Sequence, residues 1–78
     1  MKTLDKLSVN ESAVIASIDA SEELKKRFFS FGMRRGATLK VKALSLARST
    51  IEIEVGGTMI ALRNEEAKTI KVSTVCEL

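Results

Sequence analysis

Apolar positions change period along the chain, and each change marks an element. Leu4 and Leu7 stand three apart, the spacing of one helical turn, with Thr3 placed to cap it. After a polar break from Asn10 to Ser12, Ala13 to Ile18 is an apolar run rich in β-branched residues and predicts the first strand. Asp19-Ala20-Ser21-Glu22-Glu23 then reads as a helix start. Ser21 or Asp19 can accept a hydrogen bond from a free backbone N–H, and the glutamates fall where the helix dipole favours negative charge. Leu24, Phe28 and Phe31 follow at i, i+4 and i+7, one face of a helix and the stripe expected in the core. Gly32 ends the run as a residue free to take positive φ.

Past Gly36 the period drops to two. Leu39, Val41 and Ala43 alternate with Thr38, Lys40 and Lys42, and Ile51, Ile53 and Val55 alternate with Glu52 and Glu54. Gly56-Gly57, between that strand and Thr58 to Leu62, predicts a hairpin with a primed turn. Asn64 to Ala67 reads as a helical turn, and Ile70 and Val72 give a last strand that Val75 would extend. Five short strands in one small domain over residues 1–78 predict a mainly β fold. The expected form is a barrel closed on itself, because closure removes exposed edges, with one α-helix inserted after the first strand.

Composition narrows the chemistry. A chain of 78 residues buries only roughly 60% of its unfolded surface, so few side chains are spare for a catalytic pocket. There is no His, which removes the proton shuttle of neutral pH and any imidazole ligand. With a single cysteine, Cys76, a structural zinc site within one chain is excluded. Neither G-x-x-x-x-G-K-[ST] nor G-x-G-x-x-G occurs. These absences predict a binding protein, not an enzyme, with no cofactor and no metal site of its own. Glu52 and Glu54 share a strand face and could hold a hard cation only weakly. No apolar run approaches the ~20 residues of a membrane span, no secretory signal opens the chain, and the cytoplasm is the expected compartment.

Two stretches resemble the FeoA family of small ferrous-iron transport proteins. Leu24-Lys25-Lys26-Arg27-Phe28-Phe29-Ser30-Phe31-Gly32-Met33-Arg34-Arg35-Gly36, running on to Val41, is similar to the family's helix-to-strand signature. Ile51 to Val72, with Ala61-Leu62-Arg63 followed by Glu66-Ala67 and Ile70-Lys71-Val72, is similar to its closing pattern. The chain departs from that pattern at Arg35-Gly36, where Pro-Gly is usual, and at Asn10, where Gly is common. It departs again at Ser45 to Thr50, which lacks the usual Pro and glycines. The resemblance implies an SH3-like barrel and a kinship with the C-terminal domain of iron-dependent repressors, hence a loose association with transition metals. It also implies a partner: FeoB, a membrane ferrous-iron transporter with a cytoplasmic GTP-binding domain.

Charge points to where a partner would bind. The net charge is +3, and no acid lies between Glu23 and Glu52, a window holding Lys25, Lys26, Arg27, Arg34, Arg35, Lys40, Lys42 and Arg48. Consecutive elements are usually neighbours in space, so these residues are expected to share a surface, although a solvated face is the ordinary meaning of a charge run. The candidate partner-binding residues are Lys25, Lys26, Phe29, Met33, Arg34 and Arg35, with Phe29 and Met33 expected at the exposed edge of the helix as apolar anchors. A positive surface suits an acidic protein, an anionic membrane or nucleic acid. A nucleic-acid-binding barrel is therefore the alternative function. It is disfavoured because three Phe with no Tyr or Trp make a poor stacking platform. A domain holding a peptide in its barrel groove is a third reading, and weak self-association is left open.

Overall fold

A computed structural model describes residues 2–74, apart from the side chains of Arg48 and Thr74. Six strands form one antiparallel sheet: β1 (Lys2–Thr3), β2 (Ser12–Ile18), β3 (Thr38–Leu44), β4 (Thr50–Val55), β5 (Thr58–Arg63) and β6 (Ile70–Thr74). Helix α1 (Glu22–Ser30) joins β2 to β3, and the single turn α2 (Asn64–Ala67) joins β5 to β6. Two 3₁₀ turns lie at Leu4–Lys6 and Leu46–Arg48. The mainly β fold with one inserted helix is the one the sequence predicts, with one strand more. The extra strand, β1, has only two residues, too few to display a period. Val75 and Cys76 lie outside the described residues.

The sheet order is β1-β6-β2-β3-β4-β5, so the last strand in sequence lies between the first two. The two ends of that order, β1 and β5, share no ladder among the described residues. The seam is bridged by short helices instead: α2 follows β5 and packs on the Leu4–Lys6 turn that follows β1. In that turn Leu4 and Leu7 are fully buried. Thr3 does not cap it; its hydroxyl donates to the Asp5 carboxylate.

The alternating residues read from the sequence line the interior, except Ala43, which lies past a register shift in β3 and is only half-buried. Ala13 and Ile15 of β2, Leu39 and Val41 of β3, Ile51, Ile53 and Val55 of β4, Leu62 of β5, and Ile70 and Val72 of β6 are all buried. Phe28 and Met33 join the same core cluster. Both glycines of the Gly56-Gly57 hairpin take positive φ, as a primed turn requires.

Helix α1 starts as expected, with the Leu24 N–H donating to Ser21 Oγ at 3.3 Å. Its end corrects two expectations. Gly32 (φ 86°) donates to the Phe29 carbonyl at 3.0 Å, and the Met33 N–H reaches back to the Phe28 carbonyl at 3.0 Å. This paired closure is the Schellman motif, in which the residue after the glycine folds back over the last turn. Met33, expected as an exposed anchor, is therefore fully buried with Phe28. Phe31, expected in the core stripe, is the C-cap, where helical geometry has ended, and is 38% exposed. Leu24 is half-buried.

Candidate functional site

Three local devices build one surface beside α1. The first is the Schellman closure, which turns the chain at Gly32 and sends Arg34 and Arg35 back past the helix. The second is a four-residue turn: the Ala37 N–H donates to the Arg34 carbonyl at 3.0 Å, with Gly36 third at φ 92°. Positive φ at that position is the demand of a type II turn. Hydrogen bonds to Ile15 on both sides, Gly36 N–H to the Ile15 carbonyl at 2.8 Å and Ile15 N–H to the Ala37 carbonyl at 2.9 Å, pin this turn to β2. The third is a β-bulge in β2, where the register against β6 slips between Ile15 and Ser17. A bulge re-aims the side chains that follow it. It brings Ser17 and Ile18 to the foot of α1.

The result is a shallow cleft of about 220 Å³ lined by Ser17, Ile18, Lys25, Phe29 and Arg35. Phe29 also borders a neighbouring depression of about 410 Å³, which Arg34 lines with it. Phe29 is 53% exposed and stands as a ridge between the two. Lys25 is half-buried; Lys26, Arg34 and Arg35 are exposed. None of these four cations pairs with an acid among the described residues.

Four of the six candidate residues, Lys25, Phe29, Arg34 and Arg35, are thus brought together. Lys26 is on the same helix but lines neither depression, and Met33 belongs to the core. The broader basic window does not form one uniform patch. Arg27 is held by Glu66 at 3.1 Å across to α2, and Lys42 by Glu54 at 3.8 Å across to β4. Ser17 and Ile18 were not foreseen as site residues. The signal was present where the β2 run loses strict alternation, at Ile15-Ala16-Ser17-Ile18. No group of three or more His, Cys, Asp or Glu converges as a metal site among the described residues. No helix among them is long and apolar enough to cross a membrane.

Comparison with known proteins gives a consistent result. The FeoA domain family model matches residues 2–74. A protein of Campylobacter jejuni named Fe(2+) transport protein A is 38% identical over 73 residues, covering 94% of this chain and 99% of its own. A Helicobacter pylori protein of the same name is 34% identical, covering 82% of each chain. Among solved structures, FeoA of Chlorobium tepidum superposes with a TM-score of 0.90 at 28% identity, over 95% of this chain and 70% of that one. Stenotrophomonas maltophilia FeoA, solved with zinc and described as a prokaryotic SH3 domain protein, gives 0.82 at 28% identity, over 94% and 91%. A manganese-dependent transcriptional repressor shares the fold, with a TM-score of 0.87 at 21% identity, over 95% of this chain and 41% of its own.

Proposed function

Because the chain belongs to the FeoA family, we propose that it serves ferrous iron uptake as a non-enzymatic accessory protein. It binds the cytoplasmic part of an FeoB-type membrane transporter and modulates that transporter's assembly or GTP-driven activity. The relatives named Fe(2+) transport protein A support the pathway. A role as a ferrous iron transport activating factor has been raised for the Stenotrophomonas relative.

One observation carries the reading to this molecule's surface. Lys25, Arg34 and Arg35, without acidic partners among the described residues, surround the exposed ring of Phe29. Unneutralised cations around a partly exposed aromatic are the ingredients of a docking site: the ring supplies buried area on binding, and the charges speed and orient the encounter. The same cations suit the anionic inner face of the membrane that holds the transporter. A nucleic-acid role finds less support, since two exposed phenylalanines, Phe29 and Phe31, in a chain with no Tyr or Trp offer no run of stacking faces.

The direct test is a pull-down of the folded protein with the transporter's GTP-binding region, and with the intact transporter in detergent. Retention by either is expected. Absence of retention by both overturns the proposal.

A further inference from the structure

Resting on the transporter-binding reading and going beyond it, we infer that the Phe29 ridge recognises a linear acidic peptide. Its motif is an apolar residue flanked by carboxylates on both sides. The two depressions meet at Phe29, and each carries at least one cation: Lys25 and Arg35 in one, Arg34 in the other. Neither is lined by an acidic side chain among the described residues. The apolar wall of Ile18 and Phe29 accepts the peptide's apolar residue. The flanking cations and the Ser17 hydroxyl meet its carboxylates, and Arg is suited to that because its guanidinium can grip a carboxylate through two parallel hydrogen bonds.

Selectivity for this side of the helix comes from charge. The depression on the other part of α1 is lined by Ser21, Glu23, Leu24 and Arg27. There Glu23 contributes negative charge, and Arg27 is already engaged by Glu66. An anionic segment is therefore attracted to the Phe29 side of the helix in preference to this one. The recessed form also favours a peptide over a lipid surface. Depressions of about 220 and 410 Å³ take individual side chains, whereas a bilayer is met by a broad apolar face inserted between headgroups.

The test uses a fluorescent acetylated Asp-Glu-Leu-Asp-Glu amide as probe, with Lys-Arg-Leu-Lys-Arg as its charge-reversed control. Binding is followed by anisotropy, and the site is mapped by amide chemical-shift changes in the full chain. The acidic probe is expected to bind and the control not to bind. Shift changes should be confined to Ser17, Ile18, α1 and the Arg34–Ala37 turn. Raising NaCl from about 20 to about 300 mM should weaken binding severalfold. Phe29→Ala and Arg35→Glu should each lower affinity by roughly tenfold or more, while Leu46→Ala, at a residue 96% exposed that lines neither depression, leaves it unchanged. Both test positions are exposed, so their variants retain the fold, which the same spectra check.

Shift changes elsewhere, equal binding of the two peptides, or no binding overturn the inference. So does preferential capture by phosphatidylglycerol vesicles or by a short DNA duplex. The two proposals fail separately. If the transporter retains wild-type and Phe29→Ala protein equally, the peptide site is wrong and transporter binding stands. If the peptide binds as expected but no part of the transporter does, the transporter is the wrong partner.

Discussion

Ala47, in the Leu46–Arg48 turn, holds φ 62°, a left-handed conformation that a Cβ disfavours. The surrounding hydrogen bonds impose it. Ser45 exchanges two bonds with Thr50, its N–H to the Thr50 carbonyl at 3.0 Å and its Oγ from the Thr50 N–H at 2.9 Å, and its Oγ also lies 3.0 Å from that of Ser49. Ala47→Gly should therefore stabilise the protein by about 0.5–1 kcal/mol, the relief of strain less the greater entropy lost by glycine; a shifted urea midpoint with unchanged slope would record it. Asn10, at φ 72°, shows the milder solution, since asparagine tolerates this region better than other residues with a Cβ. Asn10 stands where the family resemblance expects glycine, and Ala47 lies in the Ser45–Thr50 loop where glycines are usual; both take the positive φ that glycine adopts freely. Arg35 illustrates the same point with a functional side. It stands second in a turn whose third residue is Gly36, and its N–H makes no backbone hydrogen bond among the described residues. Proline suits that position. Arg35→Pro should retain the fold with stability equal or higher by about 0.5 kcal/mol, yet lose affinity for the acidic probe. Unfolding curves and anisotropy on the same sample check both halves.

At the level of elements, Glu66 ties the two helices together. One carboxylate oxygen accepts the Arg63 N–H at 2.9 Å at the start of α2, and the other accepts from Arg27 of α1 at 3.1 Å. A helix of four residues has little stability of its own, so this end bond matters. Glu66→Ala should cost about 1–2 kcal/mol, mostly from the lost backbone bond. Glu66→Gln keeps an acceptor for Arg63 and should cost under about 1 kcal/mol, the range of an exposed ion pair. Chemical denaturation of the pair separates the contributions. Elements were legible in the sequence where a period was sustained. β3, β4 and α1 follow from spacing because each has six or more residues, and β5 follows from the Gly56-Gly57 turn before it. What spacing could not place is the behaviour just past an element's end. Met33 and Phe31 exchanged their expected environments because a Schellman closure reverses the chain there, and Ser17 and Ile18 entered the site through a bulge. Both effects depend on which backbone groups find partners, and a repeat of apolar positions does not report that.

Across the whole molecule, the positive charge proved to be partitioned. The sequence window free of acids holds cations on several elements, but Glu66 and Glu54, distant in sequence, fold back to neutralise Arg27 and Lys42. Among the described residues, Lys25, Arg34 and Arg35 keep no acidic partner and line the depressions at Phe29, and a linear reading of the chain cannot subtract charges that tertiary structure brings in. The sheet order has a consequence of another kind, for synthesis. The β3-β4-β5 meander is built from neighbours in the chain, so it can form as soon as those residues leave the ribosome. By contrast β1 pairs only with β6, and without β6 strand β2 keeps just its Ser12–Val14 ladder with β3. A protein ended after Ala67 should therefore fail to fold cooperatively, giving narrow amide dispersion and rapid proteolysis before Ser30. A nascent chain must likewise wait for Ile70–Thr74 to emerge, because that strand slides between the first two and completes the interior.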